Sequence, residues 1–545
     1  MFARVKKAGP YEYLQIVENR WEDKKSRQHV IATVGRIDEL RAKGAIETLT
    51  RSLSRFSETA LLLLSDRSES LRAEAKKIGP ALIFERLWKE VGMDRILHRL
   101  LVGRKFGFEV ERAVFLTVLH RLFPSGSDRS CDRWHRDYVI HGADDLSLHH
   151  LYRAMAFLGE ETEEQESRTP FSPRCRKDIM EEELFHRRHD LFTTLDLVFF
   201  DTTSLYFEGA GGEIGRLGHS KDHRPDLNQM IVGIVLDREG TPVCSEMWPG
   251  NTTDVTSLLP VLKRIRRRFP IGQICIVADR GMISADTLAY LERENIPSIL
   301  GARMRNVKEI KENVLSRAGR YREVYHEGFS SKDPSPLKVK EVFVDDRRYI
   351  VCLNERQARK DAADRQAILE ALQEKITSDP KSLVGNKGYR KYLKMDRDSV
   401  SLNEKKIEEE KRFDGKWVLR TTTDLSAEQV ALKYKELWQV EQVFRTMKST
   451  LDTRPIFHQR DETIRGHVFS SFLALVLIKE LYRRLEKAGH DFEWADIKQD
   501  LSALQEITLE DNGKKLAIRN ACKGVCGKVF QAVGVAMPVT IREVP

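Results

Sequence analysis

Hydrophobic and polar positions change rhythm several times along the chain. Tyr11 to Glu18 and Gln28 to Val34 read as strands joined by a charged turn around Asp23, Lys24 and Lys25, which predicts a β-hairpin over residues 1–37. From 38 to 190 the spacing is mainly helical. Glu109 to Phe123 carries Val110, Ala113, Val114, Val118, Leu119 and Leu122 at helical intervals, and Pro124 ends the run. Leu146 to Leu158 is a second such stretch. The texture then changes near Leu195. Leu195 to Phe207 (LDLVFFDTTSLYF), Met230 to Leu236 and Pro242 to Trp248 read as three consecutive strands with short connections, which predicts an antiparallel meander. A helix over Val255 to Arg268, a strand over Gln273 to Ala278, a helix over Ser284 to Asn295 and a strand over Ser298 to Ala302 follow.

Three meander strands and then helix, strand, helix, strand is the order of a ribonuclease-H-like α/β core, here over residues 191–305. From 306 to 424 the rhythm lapses. Strand-like pieces (Val339 to Val344, Tyr349 to Leu353, Lys416 to Thr421), a polar helix over Arg356 to Ile376 and the charged run Glu404 to Arg412 suggest an inserted subdomain. Helices resume at Ser426 to Leu451 and Thr463 to Lys487, returning the core over 425–490. A tail over 491–545 ends in a strand-like segment, Gly527 to Pro545. The fold class expected is α/β, with a hairpin and a mainly helical region (38–190) ahead of the core.

Composition narrows the function. With 545 residues the chain holds two to four structural units. Lys plus Arg number 92 against 83 Asp plus Glu, a net charge of +9, which leans towards a polyanionic partner. The seven cysteines form no C-x-x-C motif, and their odd number argues for a reducing, cytoplasmic compartment. Cys522 and Cys526 lie close but lack nearby partner ligands for zinc. The first ten residues have no apolar segment of a secretory signal. The longest apolar run, Val468 to Ile478, is shorter than the roughly 20 residues that span a bilayer and reads as a buried helix.

Three acids stand out chemically. Asp201 interrupts an apolar strand, where a charge is costly unless paired or metal-bound. Asp279 ends the apolar strand Ile274 to Ala278, beside the first strand in the expected topology, so both carboxylates would leave neighbouring parallel strands. Glu441 flanks a helical stripe of Leu437, Val440, Phe444, Met447 and Leu451, with Arg445 and Lys448 on the same side. Each has an ordinary alternative: the aspartates as turn caps, the glutamate as half of an i,i+4 pair with Arg445. Basic runs at Lys263 to Arg268 and Arg303 to Lys311 are candidates for phosphate contact, the first also as a helix end. Arg129 to Tyr138 interleaves basic and aromatic residues, as a DNA contact or a solvated helix face.

Several motifs fall in an order that resembles the DDE transposases of bacterial insertion sequences, in the IS-four-like superfamily. They are DTTSLYFEG from Asp201, GHSKDHRPDLNQ from Gly218, PGNTTD from Pro249, ADRGM from Ala278, and the helix bearing Tyr434, Glu441 and Lys448. The last resembles the pattern Y-x2-R-x3-E-x6-K, with Leu437 where the family has Arg. The resemblance implies a ribonuclease-H-like core with a β-rich insertion, and Asp201, Asp279 and Glu441 as ligands for two Mg²⁺ ions, with Mn²⁺ as an alternative. It implies Tyr434 and Lys448 as DNA contacts; Arg445, one helical turn beyond Glu441, is a further candidate by spacing, and Lys221 and Arg224 of the GHSKDHRPD loop are candidates to touch DNA or shape the site. The reaction implied is cleavage of double-stranded DNA at element ends and strand transfer into target DNA, by a homodimer in the DNA complex, with no membrane partner. Two other readings stay open at this point: a nuclease of the same fold that never joins strands, and a non-catalytic DNA-binding protein derived from a transposase.

Overall fold

The computed structural model describes every residue except 23–24, 55–71, 170–171, 189–196, 270–273, 326–335, 379–389, 396–399, 512–513 and 545. The predicted turn at Asp23 and Lys24, and the strand starts at Leu195 and Gln273, lie outside the described residues. The chain divides into two compact units, residues 1–79 with 499–527 and 536–545, and residues 80–498 with 528–535.

The smaller unit begins with three strands rather than the two expected. β1 (Phe2–Ala8), β2 (Tyr11–Glu22) and β3 (Lys25–Arg36) form an antiparallel sheet in that order. Lys6 and Lys7 gave Phe2–Ala8 a polar look, but the strand pairs along its whole length, from Phe2↔Val17 to Ala8↔Tyr11. The region predicted as helical also contains a strand, β4 (Arg72–Lys77).

The larger unit is built on a mixed sheet. Its strands are β5 (Leu197–Tyr206), β6 (Gln229–Leu236), β7 (Pro242–Pro249), β8 (Cys275–Ala278), β9 (Ser298–Gly301), β10 (Arg322–Val324), β11 (Leu337–Val344), β12 (Arg347–Leu353) and, after a small hairpin of β13 (Leu393–Met395) and β14 (Val400–Leu402), β15 (Lys416–Thr421). The nine-stranded order is β10-β11-β12-β15-β9-β8-β5-β6-β7. The predicted meander β5-β6-β7 is antiparallel, and β8 and β9 run parallel to β5. Strands β10, β11, β12 and β15 of 306–424 extend the central sheet, because β15 pairs antiparallel with β9, while the hairpin β13-β14 stands apart. Apolar side chains of β5 to β8 pack against helices Asp254–Arg268 and Ala285–Arg293 around Trp248, Phe200, Leu262 and Ile276.

Helix Asp461–Lys487 contains the apolar run from Val468, which is buried through Leu477. It packs on helices Leu148–Gly159 and Val110–Leu122. The approach is close because of Gly466, where an added Cβ would lie 1.9 Å from the Met155 carbonyl oxygen. Among the described residues no helix is long and apolar enough to cross a membrane.

The tail departs from expectation. Residues Cys526–Val533 are helical, burying Val529, Phe530 and Val533 at helical spacing. The remaining strands, β16 (Gln505–Asp511), β17 (Lys514–Arg519) and β18 (Ile541–Val544), return to the smaller unit and join β4 in an antiparallel sheet, β18-β17-β16-β4.

Candidate metal centre

Asp201 and Asp279 are brought together by strand register. β5 and β8 pair in parallel from Leu197↔Cys275 to Phe200↔Ala278, so each aspartate is the next residue beyond the last pair. Asp201 sits half-buried in a strand whose neighbouring residues are buried, and its Oδ1 accepts the Thr202 N–H at 2.7 Å. Burial pushes its carboxyl up to about 6. Lys221 and the Thr202 N–H oppose that shift, while the charges of Asp279 and Asp254 add to it. Asp279 is exposed and accepts the Tyr434 hydroxyl at 2.9 Å on Oδ1. Burial, and then Asp279 itself, hold the Tyr434 phenol well above its ordinary range. Room for the phenol comes from Gly301 on β9, where a Cβ would lie 2.4 Å from the Tyr434 oxygen.

The helix predicted over Ser426 to Leu451 is broken. Helix Ala427–Lys435 ends before Leu437, helix Trp438–Arg445 follows, and a wider π-type turn runs over Thr446–Thr450. The predicted stripe is nonetheless the packed side: Val440, Phe444, Met447 and Leu451 are buried, and the helix rests on β5 and β6. Glu441 and Arg445 are exposed, and the i,i+4 pair that their spacing allows does not form. The three acids are not drawn into a tight cluster. Among the described residues, the group of three or more possible ligands within 4.8 Å of one another is Asp128, His458 and His467.

The GHSKDHRPD loop meets the site through Lys221. Its Nζ donates to the Thr202 carbonyl at 2.8 Å and lies 3.0 Å from Asp254, which also accepts the Thr202 hydroxyl at 2.6 Å. Asp254 closes the PGNTTD motif and begins helix Asp254–Arg268. In the sequence that motif carries the resemblance, and nothing there sets its acid apart. The other predicted DNA contacts are mostly paired with carboxylates. Lys448 donates to Asp222 at 2.9 Å and Arg224 pairs with Asp226 at 2.9 Å; Arg454, which the sequence did not single out, stands 3.3 Å from the Asp222 carboxylate. Burial holds the Lys448 ammonium below its ordinary range.

The run Lys263 to Arg268 is not a free basic surface. Arg264 and Arg268 point into the protein, where they and Lys177 meet Asp178, Glu181 and Glu246, all six side chains being at most 1% exposed. The physical reason is helical spacing: positions four apart share a face, and this face packs on helix Arg176–Arg188 and β7. Arg266 pairs with Glu294 and Arg267 donates to the Glu166 carbonyl. In the second run, Arg303 donates to the Arg280 and Gly281 carbonyls, and Arg305 pairs with Glu410.

Residues 193–477, just over half of the chain, match the family model described as Transposase DDE domain. The chain belongs to this family: it is a DDE transposase, an enzyme that acts on DNA and uses divalent metal. Residues 3–67 match the IS1634 family transposase, N-terminal domain, which makes this the transposase of an insertion sequence. No curated protein sequence matches the chain. Among solved structures, it is similar to a piggyBac transposase in a cryo-EM synaptic complex with hairpin DNA. That likeness has 12% identity and a TM-score of 0.39, over 78% of this chain and 79% of the other.

Proposed function

We propose that the transposase cuts DNA at element ends and transfers the strand at a centre formed by Asp201, Asp279 and Glu441, holding two Mg²⁺ ions, with Mn²⁺ as an alternative. The observation that carries this reading is register: the two aspartates follow equivalent residues of adjacent parallel strands. Helix Trp438–Arg445 rests on one of those strands and offers Glu441 unpaired. The donors fit the ion, being carboxylate oxygens of the kind hard divalent cations prefer. Burial raises the Asp201 carboxyl, with smaller contributions from Asp279 and Asp254, and a bound cation would offset the cost of its charged form. Bound cations supply charge neutralisation at the phosphate and activation of the attacking oxygen.

The chain's own residues then position. Tyr434 orients Asp279 by donating to Oδ1. Lys221 ties Thr202 to Asp254 beside Asp201. Arg445, Lys448 and Arg224 are assigned to the DNA backbone. In this reading the sheet around β5, β6, β7, β8 and β9 is a ribonuclease-H-like core over 191–305 and 425–490. Residues 306–424 are its β-rich insertion, and the helical residues of 38–190 bind DNA. The working form is a cytoplasmic protein that pairs two ends as a homodimer.

The test is cleavage of a DNA fragment carrying the element's terminal inverted repeats, with Mg²⁺. Asp201→Asn, Asp279→Asn and Glu441→Gln are each expected to abolish it. Full activity in any one removes that residue from the centre. Strand transfer from pre-cut ends separates this reading from a nuclease that cuts without joining.

A further inference from the structure

A second site lies at the far end of β5. Residue Ile456 bridges to Phe207 as a short parallel extension, with its N–H on the Tyr206 carbonyl at 3.1 Å and its carbonyl accepting the Glu208 N–H at 2.9 Å. The segment so anchored forms one wall of a cavity of about 980 Å³ that Asp128–Trp134, Leu148–Gly159 and Asp461–Lys487 complete. Four arginines line it: Arg129, Arg153, Arg454, which stands 3.3 Å from Asp222, and Arg460, which pairs with Glu462 at 2.8 Å. Arg129 and Arg153 have no ion-pair partner among the described residues, and Arg153 is held over the rings of Phe106 and Phe108 at 5.5 and 5.2 Å. Two aromatic rings also line it, Tyr152 and Phe457, and Phe457 is 59% exposed.

The acids on the wall are already engaged. Asp452 accepts the Ser125 hydroxyl, and Asp128 lies 3.1 Å from His458 Nε2. The grouping of Asp128, His458 and His467 is a rigid floor rather than a metal centre. His467 Nε2 faces the Thr453 carbonyl at 3.0 Å and carries the proton, so Nδ1 is the acceptor. Arg121 donates to that Nδ1 at 2.8 Å, which occupies the lone pair a metal needs and places a buried cation beside it. The cavity thus presents net positive charge and a solvent-facing ring on a fixed frame.

Arginines with an exposed aromatic ring are the pairing that binds unpaired nucleic acid, phosphates to the cations and a base to the ring face. A duplex keeps its base faces stacked and has no use for Phe457. The volume is of small-ligand size, room for a few nucleotides and not for a duplex. Five residues of β5 separate Asp201 from Tyr206, about 17 Å at about 3.3 Å per residue. That is roughly five nucleotides of stacked strand at about 3.4 Å each. Resting on the reading of Asp201 as part of the catalytic centre, we propose that this cavity takes an unpaired stretch of DNA strand about five nucleotides from that centre. A base stacks on Phe457, and phosphates meet Arg129 and Arg153.

The test compares the full chain with Phe457→Ala, Phe457→Trp and Arg129→Ala/Arg153→Ala. Fluorescence anisotropy is read with a labelled 20-nucleotide single strand and with the same sequence as a duplex. Phe457→Ala is expected to weaken single-strand binding about tenfold and duplex binding less than twofold, and Phe457→Trp to restore it. The double arginine variant is expected to weaken the single strand more than the duplex. Because Phe457 is exposed, its thermal unfolding should match the wild type. Wild-type single-strand affinity in Phe457→Ala, or equal loss for single strand and duplex, overturns the proposal. So does a wild-type protein that binds only the duplex. Failure of Asp201→Asn to lose cleavage would instead count against the centre, and anisotropy does not depend on cleavage.

Discussion

Asp201 should cost the protein stability at neutral pH, and Asp201→Asn should recover it. The folded carboxyl stands at about 6, against an unperturbed value of 3.8. The folded chain therefore holds this proton more tightly than the unfolded chain. Stability contributed at this position falls as pH rises from 3.8, and the full penalty is present above about 6. A shift of about two units corresponds to about 3 kcal/mol at pH 7 and about half of that at pH 5. Asparagine keeps an oxygen for the Thr202 N–H and carries no charge. In a unit of about 400 residues, 3 kcal/mol moves the unfolding temperature by roughly 3 °C. The assay is thermal and urea unfolding of both proteins in EDTA at pH 5 and pH 7. The variant should be more stable, with the larger gain at pH 7. Adding Mg²⁺ should stabilise the wild type and not the variant. A variant no more stable than wild type at pH 7 in EDTA, or a gain that shrinks from pH 5 to pH 7, refutes the reasoning.

Two further substitutions probe what holds the site. Arg268→Met removes the cation that meets Glu181 at 2.6 Å, Glu182 at 2.7 Å and Asp178 at 3.3 Å, leaving buried acids uncompensated. A loss of about 3–5 kcal/mol is expected in urea unfolding, and an unchanged midpoint would rule it out. Gly301→Ala drives a methyl group into the Tyr434 oxygen and should lower both stability and cleavage. Adding Tyr434→Phe should return part of the stability but not the Asp279 contact; a double variant as unstable as the single one would show that the clash lies elsewhere.

Much of the core was legible because its signals are local. The strands around Asp201 and Asp279 are nearly unbroken apolar runs, as strands buried on both faces must be, and short connections between the first three leave only an antiparallel meander. Long-range pairing was not legible. β1 alternates weakly because its sheet is largely exposed, and β4 finds its partner, β16, more than four hundred residues later. The strands of 306–424 read as an inserted subdomain from sequence alone, and nothing in Lys416 to Thr421 announces that Leu419 pairs with Gly301. The tail helix Cys526–Val533 was missed because its period, Cys526, Val529, Phe530 and Val533, lasts only about two turns.

The site divides along the same line. Asp201 and Asp279 could be singled out because a carboxylate within an apolar strand, or at the end of one, is anomalous by itself. Asp254 could not, because an acid in the first turn of a helix is ordinary there. Its role emerges only when Thr202 and Lys221 converge on it. The basic residues were the hardest to judge, since sequence gives a cation without its partner. Arg264 and Arg268 turned out to compensate buried acids, whereas Lys448 and Arg454 share Asp222, and Lys221 shares Asp254 with Thr202. That arrangement has a physical logic. A single carboxylate between two cations holds both in place without neutralising both, so Asp222 fixes Lys448 on the Glu441 segment and Arg454 at the cavity wall and leaves surplus positive charge. On the proposed function, that surplus is what a phosphate backbone would meet.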